Sequence, residues 1–168
     1  VSMGGATVLM VSGEELPGQV KCVVSDCAYT SVRDILNHQL KQMYKLPPFP
    51  LLPATSLMCK LRAGYTFGEA SALKQVARTK LPILFIHGDH DTFVPYAMLH
   101  RLVDAAAGDK EVYVVQGASH ANAYFVDKKE YKRRIRQFIG RYIRLGEGTE
   151  KGRIPETEPQ AVLTPMEG

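Results

Sequence analysis

One segment constrains this chain more than any other: Leu81-Pro82-Ile83-Leu84-Phe85-Ile86-His87, followed at once by Gly88-Asp89-His90-Asp91. Successive side chains of a strand point to opposite faces. Ile83 to Ile86 are all apolar, so both faces of this strand need cover. That is the pattern of a parallel sheet packed between helices. Two other short, β-branched runs fit beside it. Gln19–Asp26 (QVKCVVSD) predicts a strand over Val20–Asp26, and Glu111–Val115 (EVYVV) predicts one over Val112–Val115. The central strand is expected over Ile83–His87.

The segments between these strands have helical spacing. Val1-Ser2-Met3-Gly4-Gly5-Ala6 reads as a tight turn entering a buried helix, which Pro17-Gly18 ends. Ser31 to Tyr44 carries Val32, Ile35, Leu36, Leu40 and Met43 at helical intervals. Leu46 to Pro53 holds four prolines in eight residues, a density expected to exclude regular structure. A short apolar stretch, Ala54 to Leu61, follows, and Phe67 to Ala77 reads as helix. A helix is expected from Val94-Pro95 to about Ala107, with Pro95 in its first turn. The last runs from Asp127 to Arg144, with Tyr131, Ile135, Phe138, Ile139 and Tyr142 forming one apolar stripe. Strands alternating with helices define an α/β class. The expected organisation is one domain over residues 1–146, with a mostly helical insertion at about 28–80. Residues 147–168 lack periodicity, carry Pro, Gly and Glu, and read as a disordered tail.

Composition narrows the function classes. The chain has 168 residues, 45% hydrophobic and 23% charged, a balance suited to one soluble domain. The net charge of +4 is too small to argue for nucleic acid. Lys128, Lys129, Lys132, Arg133, Arg134, Arg136, Arg141 and Arg144 make the last helix basic. Its apolar stripe makes the basic side a solvated outer face, and no aromatic platform or phosphate loop accompanies it. No apolar run approaches the ~20 residues of a membrane span. The sequence starts at Val1, so cytoplasmic or membrane-anchored location depends on what precedes it. Cys22, Cys27 and Cys59 match no zinc spacing and are expected to be small buried side chains. The five histidines show no metalloprotease spacing, so neither a metal nor a cofactor is expected.

Three short elements carry chemistry. A serine hydroxyl needs a base within hydrogen-bond reach, and the base needs an orienting acid. Val1-Ser2-Met3-Gly4 matches the last four positions of G-x-S-x-G, a strained strand-to-helix turn that presents a nucleophilic serine. Asp91 lies just past the central strand, where open α/β sheets place their sites. Gly117-Ala118-Ser119-His120 follows the third strand and sets an imidazole at the same sheet edge. The order Ser2, Asp91, His120 is the chain order of this fold type. Asp89 competes with Asp91 for the acid role, with a turn-holding role as its alternative. Asp26 is a further candidate acid, its alternative being to bind backbone at the start of the insertion. His87 and His90 flank the acid loop and read as structural. The backbone N–H of Met3 is the expected oxyanion donor.

These elements carry a resemblance. HGDHDTFVP (87–95) resembles the acid loop of α/β-hydrolases, and GASHANAY (117–124) resembles their histidine loop. DCAYTS (26–31), LPPFP (46–50) and LRAGY (61–65) look like a group of bacterial hydrolases related to the serine aminopeptidase and acyl-esterase branches. The resemblance covers roughly Val1 to Ile143. It implies the C-terminal part of an α/β-hydrolase, the strand before the elbow and all that precedes it lying outside this sequence. It also implies a Ser2–Asp91–His120 triad cleaving an ester or amide through an acyl-enzyme. The second oxyanion donor would come from a loop of that earlier part. Leu, Met, Phe and Tyr in the insertion, read as a lid, imply a small-molecule substrate with an apolar group. The rival reading is a non-catalytic binding domain or an inactive fragment of the enzyme. Without the strand that would pair with it, Val20–Asp26 is expected to be an open edge able to self-associate.

Overall fold

The computed structural model describes residues 1–143. The tail at 147–168, the boundary at 146 and Arg144 lie outside them. The element order is α1 (Met3–Ser12), β1 (Val23–Asp26), α2 (Val32–Gln42), α3 (Leu51–Ala63), α4 (Ala72–Val76), β2 (Ile83–Gly88), α5 (Ala97–Ala105), β3 (Lys110–Val115), α6 (Ala123–Val126) and α7 (Lys128–Tyr142). The three strands form one parallel sheet in the order β1-β2-β3. Val23 pairs with Ile83, and Ile83 with Lys110.

Alternation along β2 builds two cores. Ile83 and Phe85 face one side, where Ala6 and Leu9 of α1, Val76 of α4, and Leu99 and Leu102 of α5 pack. Leu84 and Ile86 face the other, against Tyr113, Val115, Ala118, Ala123 and Phe138. Tyr131, Ile135, Ile139 and Tyr142 of α7 complete that layer, so the apolar stripe docks on the sheet as its spacing predicts. All six residues of β2 are buried. Helices thus cover both faces, as expected for a parallel sheet whose central strand is buried on both sides.

Several boundaries differ from the sequence-based expectation, each for a local reason. β1 begins at Val23, not Val20. Val20 still belongs to the turn after Pro17, its N–H donating to Pro17 O at 3.0 Å, and pairing starts where Val23 N–H reaches Pro82 O. The proline-rich segment does enter a helix. Pro50 and Pro53 stand at the cap and in the first turn of α3, where N–H groups have no intrahelical partner to lose. The helix expected over Phe67–Ala77 is only α4, started at Ser71, whose hydroxyl accepts from Lys74 N–H. Pro95 lies just before α5 and accepts from Met98 N–H. The last helix starts where expected, with Asp127 capping α7 by accepting from Glu130 N–H, and the short α6 before it was not expected from the sequence. Of the cysteines, only Cys27 is buried; Cys22 and Cys59 are partly exposed, and all three are free thiols. No helix among the described residues is long and apolar enough to cross a membrane.

Candidate active site

The parallel pairing brings the C-terminal ends of β1, β2 and β3 to one sheet edge. Each end leads into one side of a site. Asp26 ends β1 and anchors the elbow: its carbonyl accepts from Ser2 N–H at 2.8 Å. Ser2 has φ 52° and ψ −119° and caps α1. That positive φ is costly for a side-chain-bearing residue, and such strain collects at functional sites. Close packing supports it. A Cβ on Gly5 would lie 2.6 Å from Asp26 O, so the helix start needs a glycine there.

The acid loop leaves β2 at Gly88, whose missing Cβ leaves room for the Ala118 carbonyl of the histidine loop. His90 N–H donates to that carbonyl at 3.1 Å. Asp89 accepts from Gly117 N–H at 2.6 Å. Asp89 therefore ties the acid loop to the histidine loop and makes no bond to the imidazole.

Ser2, Asp91 and His120 come together. Ser2 Oγ is 2.9 Å from His120 Nε2, and His120 Nδ1 is 2.7 Å from Asp91 Oδ2. An ionised carboxylate only accepts, so Nδ1 carries the ring proton and Nε2 is left to accept from the serine hydroxyl. Phe93 lies against the His120 ring at 4.7 Å between centroids. Asp91 is buried, and burial alone would raise its carboxyl. Donors from His87, His120 and Val94 N–H outweigh that cost and hold it below the ordinary carboxylate range. Met3 is the first residue of α1, and the N–H groups of a helix's first turn have no intrahelical acceptor. Such a group suits an oxyanion.

Asp26 takes a different place from either sequence-based expectation. Its side chain binds no backbone at the insertion. Oδ2 accepts from Tyr131 OH of α7 at 2.9 Å, and Oδ1 is buried without a partner. Burial raises the Asp26 carboxyl, with the Tyr131 bond opposing. Burial and the neighbouring Asp26 push the Cys27 thiol up to about 11. Cys27, Asp91 and His120 hold potential metal-ligand atoms within 4.8 Å of one another. Both Asp91 oxygens and both His120 nitrogens are engaged in the hydrogen bonds above, so an ion would have to break that network. His90 is exposed, whereas His87 is buried 3.4 Å from Asp91. Sequence reading set His87 aside; its i, i+4 spacing to Asp91 across a tight turn is the signal it left.

Residues 33–124 match the family described as serine aminopeptidase, S33. The chain belongs to this family of α/β-hydrolases. The matched stretch contains Asp91 and His120, with Ser2 outside it. YqkD of Bacillus subtilis, an uncharacterised protein, is 30% identical over 138 residues, 82% of this chain and 45% of that protein. The chain thus spans less than half of that relative's length. Among solved structures, the Pyrococcus furiosus esterase Pf2001 is similar with a TM-score of 0.61 at 22% identity, over 84% of this chain and 51% of the esterase. An esterase domain from a Rhodothermus marinus protein gives 0.57 at 20%, over 84% and 57%. At these identities the likeness establishes the α/β-hydrolase fold.

Proposed function

We propose that this chain carries the triad of a serine hydrolase that cleaves an ester or amide bond through a covalent acyl-enzyme. The continuous chain of hydrogen bonds from Ser2 Oγ through His120 to Asp91 carries this reading. Ser2 Oγ attacks the carbonyl carbon as His120 Nε2 takes its proton. The carbonyl electrons move onto oxygen, facing the Met3 N–H at the positive end of α1. Collapse expels the leaving group, which receives the proton from His120. Water then repeats the sequence and frees Ser2. Asp91 fixes the ring tautomer and stabilises the imidazolium.

The segment between β1 and β2 is the proposed lid and supplies selectivity. It forms an open cavity of about 630 Å³ lined by Phe49, Leu52, Leu57 and Phe67 together with the polar Arg33, Asn37, Ser56 and Thr66. The apolar members of that lining suit a small-molecule substrate with an acyl or aromatic group. Neither Ser2 nor His120 lines it; in this proposal the apolar end of the substrate occupies the cavity while its carbonyl lies at Ser2. A p-nitrophenyl acyl ester series, run on the intact protein, tests the proposal. A burst of one nitrophenol per site, abolished by Ser2→Ala, is the expected result. Turnover that Ser2→Ala leaves unchanged contradicts it.

A further inference from the structure

His87 stands one residue before the end of β2, and 1% of its surface is exposed. Buried polar rings are kept in place by the bonds they make. Its Nε2 lies 3.0 Å from Val94 O and 3.4 Å from Asp91 Oδ2. Both neighbours are acceptors, so Nε2 must carry a proton to sit between them. The short arm goes to the carbonyl and the longer arm to the carboxylate. Val94 closes the loop, because its own N–H donates to Asp91 Oδ1 at 2.8 Å. Phe93 N–H donates to the same oxygen at 3.0 Å. Each Asp91 oxygen is therefore fixed from two sides: Oδ1 by two backbone N–H groups, Oδ2 by the rings of His120 and His87.

Resting on the triad reading, we propose that His87 is a positioning residue for Asp91, a second imidazole that turns Oδ2 toward His120 and keeps the carboxylate ionised. A carboxyl can rotate about its last bond, which is a soft torsion. Two backbone donors hold Oδ1 but leave the tilt of Oδ2 to its own partners. His87 meets Oδ2 from the end of β2 at 3.4 Å and so restricts it to the orientation in which His120 Nδ1 lies 2.7 Å away. The same N–H competes with His120 for the charge on that oxygen. The other ionisable groups near this pair are Cys27, within 4.8 Å of Asp91 and His120, and Asp26, whose carboxyl feels the His87 ring electrostatically. Tyr96 meets the His87 ring edge-on at 6.1 Å.

A role confined to folding and a role in positioning give different kinetics. With the Oδ2 donor removed, the charge of Asp91 falls on the His120 imidazolium alone, and the unprotonated base appears only at higher pH. His87→Leu in the intact protein is expected to lower kcat by about tenfold with little change in KM. The acid limb of its kcat/KM profile should move upward by about half a pH unit or more. His87→Gln can set an amide N–H where Nε2 stands and should recover most of kcat and the original limb. His87→Asn is too short to do so and should behave like the leucine variant. A folded His87→Leu with unaltered kcat and pH profile overturns the inference. If the leucine variant does not fold, the comparison of Gln with Asn decides, and equal kcat and equal limbs for the two overturn it. Ser2→Ala separates this from the reading beneath it. Loss of turnover in Ser2→Ala beside a normal His87→Leu sinks the positioning role alone, whereas full turnover in Ser2→Ala sinks the triad.

Discussion

Asp89 and Asp91 are two residues apart and have separate partners. Asp91 Oδ2 meets His120 Nδ1, while Asp89 meets Gly117 N–H in the neighbouring loop. Asp91→Asn puts an amide where an acceptor is needed and favours the wrong ring tautomer, so kcat should fall by about 10⁴. Asp89→Asn keeps an oxygen for Gly117 and should retain kcat within a factor of about three, with a modest loss of stability. Steady-state kinetics and thermal unfolding of the two variants check this, and equal kcat losses would assign the acid wrongly. Gly5 makes a second residue-scale case. An added methyl 2.6 Å from Asp26 O must push α1 off β1. Gly5→Ala should cost about 1–3 kcal/mol of stability and displace Ser2, read as a lower unfolding midpoint together with a lower kcat. The three candidate residues were legible in sequence because Asp91 and His120 follow strands that periodicity identifies and Ser2 stands in a glycine-rich start of a helix. The contacts of Asp26 were not, since its partner Tyr131 stands 105 positions away and only packing of α7 brings the two together.

At the scale of elements, the strands and the outer helices followed from pattern, and their ends did not. β2 was readable nearly to the residue because Pro82 and Gly88 bracket an apolar run. β1 was over-extended because Val20 has strand character that a turn to Pro17 overrides. α3 was missed at its start because prolines break helix interiors yet suit first turns. The α7–β1 link yields a prediction with a pH signature. Tyr131 gives the buried Asp26 its side-chain donor from α7, so Tyr131→Phe should destabilise the fold by about 1–3 kcal/mol at neutral pH. Burial already holds the folded Asp26 above the ordinary carboxylate range, and loss of the donor raises it further. A carboxyl raised by folding loses stability as pH climbs through its folded value. The penalty of Tyr131→Phe is thus largest above that value and smallest well below the ordinary carboxylate range, where Asp26 is protonated in both states. Urea unfolding at neutral pH and at pH about 3 checks the sign. An equal penalty at both would show that Asp26 is not the group involved.

Across the whole molecule, the two cores hold three parallel strand ends together, and the proposed chemistry sits where they meet. The region between β1 and β2 carries the fewest sequence signals and the least burial: α3 buries none of its residues. Its Leu57, Met58 and Leu61 are more than half exposed, so spacing alone could not show which face packs. β1 pairs with β2 and with no other strand among the described residues. An open strand edge of this kind, led by Val23 and Val24, favours association. The 168-residue chain, expressed by itself, is expected to sediment as oligomers, and a Val24→Lys change on that strand should shift it toward monomer in sedimentation velocity. In the proposed reaction Ser2, driven by His120 and Asp91, forms the acyl-enzyme. The most direct test of this step is to treat the intact protein with a fluorophosphonate and map the adduct by peptide mass spectrometry. One phosphonyl group on Ser2, formed at least about a hundredfold more slowly in His120→Ala, is the result this account predicts; a reactive protein whose adduct lies on another residue, or an ester hydrolase that Ser2→Ala leaves fully active, would contradict it.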